Sequence, residues 1–313
     1  MLSLKYKPQK GHGFVGLFIA FLFLSLMGGF LASRLMLVTP YGDRLSFLSA
    51  GSGRQVRAPE ESRQPETIRI FTRENLRVRY RPYGLVAHAF GSVNGLYYTN
   101  CREAFEESYR KGFRVFEVDL VLLADGTVYC AHNDMEGRYR IPRSFRRCRW
   151  EEVERKKLYG KYTPLLGEGL VELARNYDDA FFILDTKYSH LQIVKALVTT
   201  ARGKDSTVLN RFIPHIAGPE DHLRLQELFP FPNYMLALYR SRLSNRGAVE
   251  FIKNSGVRGV MMWWNKRYRS AFQKQLEDAG AAVYVHSLND AGQIDRFRRK
   301  GVGVYSDGFY PSR

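Results

Sequence analysis

Cysteine is scarce in this chain: three in 313 residues, Cys101, Cys130 and Cys148, an odd number at no metal-ligand spacing. That excludes a disulfide-stapled scaffold and a thiolate zinc site, and leaves open at most a single bridge, Cys130 to Cys148. Acidic residues are also in deficit, 31 against 48 lysines and arginines, for a formal charge of +17. A surplus of that size attracts anionic partners. No recognised nucleic-acid-binding motif accompanies it, so nucleic acid is not an expected partner. An apolar content of 45% rules out a disordered chain and is ample for one large domain or two ordinary ones.

Long uncharged apolar runs are missing except for one. Residues 13–32 carry no charge and include Phe14, Leu17, Phe18, Ile19, Phe21, Leu22, Phe23 and Leu24. As a helix that run spans about 30 Å, the thickness of a bilayer's hydrocarbon core, and it reads as a single transmembrane anchor. A cleaved signal peptide is the rival, but its apolar core is usually shorter and Phe30-Leu31-Ala32 is a poor cleavage site. Lys5, Lys7 and Lys10 precede the span, while Arg34 and Arg44, partly offset by Asp43, follow it. This bias puts residues 1–12 in the cytoplasm and the bulk of the chain on the non-cytoplasmic side, a periplasmic or extracellular face. Residues 33–82 read as a juxtamembrane connector, flexible at Ser49-Ala50-Gly51-Ser52-Gly53, with a strand-like alternation at Leu76, Val78 and Tyr80. Its later part either packs under the domain that follows or serves as a tether.

The chemistry concentrates further on. Glu117 and Asp119 sit two apart in Val115-Phe116-Glu117-Val118-Asp119-Leu120. In a strand both side chains leave the same face. A solvated acidic face is the commoner source of such a pair, but the neighbours here are apolar on both faces, as in an interior strand of a parallel sheet. Two buried carboxylates without a partner cost several kcal/mol, so a cation is the natural occupant. Asp125-Gly126 is a hairpin signal, and reflection about that junction brings His132 back beside Asp119. His88 ends another apolar run, Leu85-Val86-Ala87.

Strand-like runs recur at 85–89, 115–120, 181–186, 212–217, 234–239, 257–263, 282–287 and 302–306, with 127–132 as the returning hairpin arm. Helical stretches alternate with them, which predicts a parallel sheet and, over residues 83–313, an α/β TIM (β/α)8 barrel. One helix can be placed by an apparent capping box, Asn100 with Glu103, followed by the stripe Cys101, Ala104, Phe105, Ser108, Tyr109 and a stop at Gly112. Barrel active sites lie at the C-terminal ends of the strands, where His88, Glu117, Asp119, Asp185, Lys187, His215, Asn289 and Asp307 all fall. Trp263 and Trp264 end the sixth strand. They can line a pocket, although alternation assigns at least one of them to core packing.

Taken together, Val86-Ala87-His88, Glu103-Ala104-Phe105, Gly112-Phe113, Glu117-Val118-Asp119, Ala124-Asp125-Gly126 and His132 resemble the glycerophosphodiester phosphodiesterase family. That family belongs with the phosphatidylinositol-specific phospholipase C-like phosphodiesterases. The tail is similar too, in Val283-Tyr284-Val285-His286-Ser287-Leu288-Asn289-Asp290, Gly301-Val302 and Ser306-Asp307-Gly308. The resemblance implies a TIM-barrel phosphoric diester hydrolase with one divalent ion, Mg²⁺ or Ca²⁺, on Glu117, Asp119 and Asp185. It also implies His88 and His132 as the catalytic pair, and Lys187 as the family's basic residue. Asn100, His215, Tyr239, Trp263 and Asn289 complete the candidate substrate-binding set. The chain departs from the family at Ala89, where an arginine is usual, and at Tyr98-Thr99-Asn100-Cys101, which stands for Pro-Glu-Asn-Thr and loses an acid.

Histidine, with an ordinary pKa of about 6.5, can divide base and acid roles near neutral pH. Attack by water gives hydrolysis; attack by a neighbouring substrate hydroxyl gives a cyclic phosphate. The arginines Arg138, Arg140, Arg143, Arg146, Arg147 and Arg149 crowd the segment after His132 and offer a face to an anionic lipid or polymer. An alternative of a different class is a catalytically silent barrel that binds such an anion.

Overall fold

A computed structural model of the chain describes residues 70–72 and 82–308. The expected anchor at 13–32, the N-terminus and most of the connector, with Leu76, Val78 and Tyr80, lie outside the described residues. Among the described residues no helix is long and apolar enough to cross a membrane.

In chain order the elements are β1 (Leu85–Ala87), α1 (Arg102–Arg110), β2 (Val115–Leu122), β3 (Val128–Cys130), α2 (Trp150–Val153), β4 (Leu165–Leu166), α3 (Gly167–Asn176) and β5 (Phe181–Thr186). There follow α4 (His190–Lys204), β6 (Phe212–Ile216), α5 (Pro219–Leu228), β7 (Met235–Ala237), α6 (Asn245–Ser255), β8 (Gly259–Trp263), α7 (Ser270–Asp278), β9 (Ala282–His286), α8 (Ala291–Arg299) and β10 (Gly303–Ser306). The sheet runs β1-β10-β9-β8-β7-β6-β5-β2, and the pairing of β1 with β2 closes it into a barrel of eight parallel strands. The eight predicted runs are these eight strands, most of them trimmed at one end. Strands β3 and β4 extend β2 antiparallel beyond the barrel.

Alternation decides what faces where. In β2, Val115 joins the barrel interior with Phe181, Ile213, Met235, Met261 and Tyr284. Phe116 points out and packs on Phe90, Phe105 and Phe182, with ring centroids 6.3, 4.6 and 6.0 Å away. Glu117 and Asp119 share the parity of Val115, so both carboxylates face inward near the strand's C-terminal end. Ile70 and Phe71 belong to the same interior cluster. Phe71 lies edge-on to Tyr284 at 5.5 Å, and the Ile70 amide donates to Asn233 at 3.2 Å. Ile70 and Phe71 of the connector therefore pack into the barrel. Phe71 is accommodated by Gly259 at the start of β8, where a Cβ would stand 2.7 Å from the Phe71 ring.

Two local expectations are corrected. The β2–β3 register pairs Leu120 with Cys130 and Val121 with Tyr129, which puts Ala131 rather than His132 opposite Asp119. The turn is one residue longer than the two-residue hairpin: Leu123 and Thr127 face each other, and Gly126 takes φ +86 in the left-handed region. There is also no capping box at Asn100. The N-cap of α1 is Cys101, Asn100 is turned to Asp119, and Glu103 accepts from the Thr163 amide. All three cysteines are free and buried, so the Cys130–Cys148 bridge does not form.

Candidate active site

At the C-terminal ends of the strands, the inward positions form one layer: His88 after β1, Glu117 and Asp119 on β2, Asp185 on β5, His215 on β6, Tyr239 after β7, Trp263 on β8, His286 on β9 and Asp307 after β10. The β2–β5 register pairs Asp119 with Asp185 directly. Glu117, Asp119 and Asp185 each bring a carboxylate oxygen to within 4.8 Å of the others, and all three are buried.

Glu117 and Asp119 are each held through one carboxylate oxygen. Glu117 Oε2 accepts from the Ala89 amide at 2.7 Å, a contact made possible by the left-handed backbone at Ala89 and Phe90, φ 49 and 67. Asp119 Oδ2 accepts from Asn100 Nδ2 at 3.0 Å, and the Asp119 amide donates back to Asn100 Oδ1 at 2.9 Å. The other oxygens, Glu117 Oε1 and Asp119 Oδ1, are buried and accept no hydrogen bond. Buried orphan oxygens are rare because each forfeits its hydration. Two of them converging with a third carboxylate make a set of hard donors that suits an ion such as Mg²⁺ or Ca²⁺. Asp185 is more engaged. It takes hydrogen bonds from Lys187 and, at 3.0 Å, from the Tyr239 hydroxyl, and faces Arg240 Nη1 at 3.3 Å and His215 Nδ1 at 3.4 Å.

The protonation pattern follows from this crowding. Burial, then the neighbouring Asp119, raises the Glu117 carboxyl to about 8, with His88 acting the other way. A bound cation would reverse that balance. Burial also opposes ionisation of Asp185, but His215 and Lys187 overcome it and hold that carboxyl well below its ordinary range. His88 is the opposite case to a buried neutral histidine. Burial works to lower its pKa, yet the Asp307 hydrogen bond at 2.6 Å and the charges of Glu117, Asp307 and Asp119 raise it to about 9. His88 Nε2 is left facing Glu117 Oε2 at 3.8 Å. His286, by contrast, is pushed down to about 3 by burial and by the nearby imidazoles of His88 and His215, so it is a neutral ring at physiological pH.

His88, Glu117, Asp185 and His286 line one cavity of about 470 Å³, together with His132, Tyr98, Trp264 and Lys266. His132 is there despite the register slip, its Nδ1 held by Asp134 at 2.5 Å. Tyr98 stands between the two histidines, ring centroids 4.9 Å from His88 and 6.0 Å from His132. Lys187, His215, Tyr239 and Trp263 all line the cavity. Two expected substrate contacts do not. Asn100 is fully buried behind Asp119, and Asn289 is spent on Asp307, donating to its carboxylate at 2.7 Å and accepting from its amide at 2.8 Å. Both asparagines brace charged residues instead of facing the cavity. Neither tryptophan is in the core: the chain turns away after Trp263, strand alternation lapses, and Trp264 lines the cavity as well. Asp307 was legible from sequence only as a polar residue at a strand end and His286 only as part of the last strands' motif, with no role given to either, while Tyr98 and Arg240 were given no place in the site.

No protein-family model matches the chain, and no curated protein matches it. Solved structures do. Similar structures include a glycerophosphodiester phosphodiesterase from Agrobacterium tumefaciens, with a TM-score of 0.56, 15% identity, and 72% of this chain and 96% of that one covered. One from Thermotoga maritima has a TM-score of 0.55 at 20% identity, covering 71% and 93%. A phosphodiesterase from Oleispira antarctica, solved in complex with the product sn-glycerol-3-phosphate, has a TM-score of 0.58 at 17% identity, covering 72% and 93%. At such identities the likeness speaks for architecture, and the architecture is plain: this chain carries the barrel fold of the solved glycerophosphodiester phosphodiesterases.

Proposed function

We propose that the protein is a divergent glycerophosphodiester phosphodiesterase, a metal-dependent phosphoric diester hydrolase. Its substrate is a glycerophosphodiester, a phospholipid headgroup or a related surface phosphodiester polymer. The observation that carries this reading is the convergence of Glu117, Asp119 and Asp185 with two orphaned oxygens, beside an imidazole that is itself braced by a carboxylate. The product named for the Oleispira antarctica structure, sn-glycerol-3-phosphate, is of the class this reading expects.

Glu117, Asp119 and Asp185 would hold the ion, which when bound supplies charge neutralisation at the phosphoryl oxygens. His88 and His132 flank Tyr98 on the same cavity wall and divide the proton transfers. One accepts the proton of the attacking water as its oxygen bonds to phosphorus; the other protonates the alkoxide as the ester P–O bond breaks. Asp307 fixes the His88 ring through Nδ1 and leaves Nε2 for that transfer. Attack by a substrate hydroxyl instead of water would give a cyclic phosphate with the same residues. Residues 13–32 would anchor the chain in a membrane, with the barrel on the non-cytoplasmic side, and the exposed arginines between Arg138 and Arg149 would meet anionic lipid or polymer there.

A second reading has its own observation. Asp185 is already saturated by Lys187, Tyr239 and Arg240, and Thr99, where the family carries an acid, is buried and uncharged. A catalytically silent, anion-binding barrel fits those two facts. Phosphorus NMR on a panel of phosphodiesters, with and without EDTA, separates the readings. The hydrolase should turn over at least one diester, and lose roughly 100-fold or more in Asp119→Asn or under EDTA. Turnover indifferent to both would refute the metal-dependent reading, and anion binding with no turnover would establish the silent barrel.

A further inference from the structure

The cavity has a second pole that the phosphodiester chemistry leaves unused. Its volume of about 470 Å³ falls in the range of pockets that hold drug-sized ligands, well beyond a phosphoryl group alone. Beyond Tyr239, whose hydroxyl reaches Asp185, Trp263 lies nearly parallel to the Tyr239 ring, at an interplanar angle of 11° and a centroid distance of 6.3 Å. The ammonium of Lys266 sits 3.5 Å from the centroid of the Trp263 ring. Trp264, next in the chain to Trp263, lines the same cavity.

The two lysines of the cavity differ in one respect. Lys187 is committed to Asp185 and lies 3.7 Å from Asp119. Lys266 has no carboxylate partner among the described residues, only the Trp263 face. Nor is it carried on a loose loop. The turn holding it is pinned by Arg267, which donates to the carbonyls of Leu243 at 2.6 Å and Leu238 at 3.0 Å and to Asn245 Oδ1 at 3.1 Å. An aromatic wall alone would favour a quaternary ammonium group. Here that face is already filled by a cation, which repels another and leaves a positive charge to be matched.

We propose that Lys266, lying over Trp263 and beside Trp264, forms an anion subsite. It takes a second negatively charged group, a phosphate carried on the alcohol portion of the substrate, and disfavours diesters whose alcohol bears a quaternary ammonium. This rests on the phosphodiesterase reading for its substrate, but the subsite can be tested by binding alone. The full chain is titrated with glycerol 1,3-bisphosphate, glycerol 3-phosphate and phosphocholine, following tryptophan fluorescence. The bisphosphate should bind roughly three- to tenfold more tightly than the monophosphate, and Lys266→Ala should erase that difference and Lys266→Glu invert it. In turnover, the kcat/KM ratio of a glycerophosphodiester with a terminal phosphate to glycerophosphocholine should fall to about 1 in Lys266→Ala, through KM. Equal binding of the bisphosphate and the monophosphate, tighter binding of phosphocholine, or a ratio unmoved by Lys266→Ala overturns the subsite. If the bisphosphate preference follows Lys266 while neither diester is cleaved, the subsite stands and the hydrolase reading falls.

Discussion

His88 and Asp307 are 219 positions apart in sequence and 2.6 Å apart in space. Asp307 is held in turn by Asn289, so the imidazole is oriented by a chain of two residues anchored at the last two strand ends. Its elevated pKa depends on this partner, because burial alone would lower it. Asp307→Asn keeps the shape and removes the charge. In the metal-free protein, histidine NMR titration should show the His88 pKa falling well below about 9, and with the metal supplied kcat should drop by roughly 100-fold. A His88 titration unchanged in Asp307→Asn would mean that Glu117 and Asp119 set its charge without help. Residues of this kind were only half legible. Glu117, Asp119 and Asp185 could be read because strand parity and a buried apolar frame leave few reasons for an acid. Asn100 and Asn289 were misassigned because an asparagine that touches substrate and one that braces a carboxylate look alike until the fold sets which way each points. Tyr98 and Arg240 carried no signal, since they leave irregular segments where no period applies.

Among the elements, the strands were the most legible part, and their ends the least. The run 181–186 coincides with β5 because both faces of that strand are buried and its apolar run gives way to polar residues at Asp185, Thr186 and Lys187. The β2–β3 arm slipped by one residue because a dipeptide signal does not reveal whether the turn holds two residues or three, and the longer turn with Gly126 at φ +86 shifts the whole register. The segment at Ile70 and Phe71 gave no sign in sequence of entering the barrel, since its partner is a missing side chain. Gly259 leaves the space that the Phe71 ring occupies. Gly259→Ala should therefore cost about 1–3 kcal/mol by overpacking, and Phe71→Ala about 3–5 kcal/mol by opening a cavity. In the double variant the costs should not add, because each change removes the reason for the other, although the Tyr234 carbonyl at 2.9 Å retains part of the first. Denaturant unfolding of the four proteins measures the coupling. Strict additivity would show that Phe71 does not hold this position in solution.

For the whole molecule, the buried histidines set how stability responds to acid. His190, at the start of α4, is lowered from its ordinary 6.5 to about 4, first by burial and then by Arg240, while its Nδ1 lies 2.6 Å from the Thr186 hydroxyl. His222 is lowered by burial alone. Such a group binds fewer protons folded than unfolded, so its stabilising contribution is complete above about 6.5 and is lost as pH falls toward 4. Glu117, raised to about 8, works in the opposite sense over part of that range, favouring the folded state as pH falls from 8 toward its ordinary value of 4.5. His88, raised to about 9, stabilises below 6.5 and loses that contribution as pH rises through 9. The net curve mixes these slopes, but a single substitution isolates one of them. His190→Gln removes a group that does not face the carboxylate cluster directly and keeps a polar partner for Thr186. The fall in unfolding free energy between pH 7 and pH 5 should shrink by about 2 kcal/mol relative to the unsubstituted protein, measured by urea unfolding at both pH values. An unchanged difference would mean that His190 titrates near its ordinary value in the folded protein. It would then be open to water rather than shielded beside β5 and α4, and the acid response would have to come from His222, the cavity histidines and the carboxyls of Asp185 and Asp307, which are held below their ordinary range.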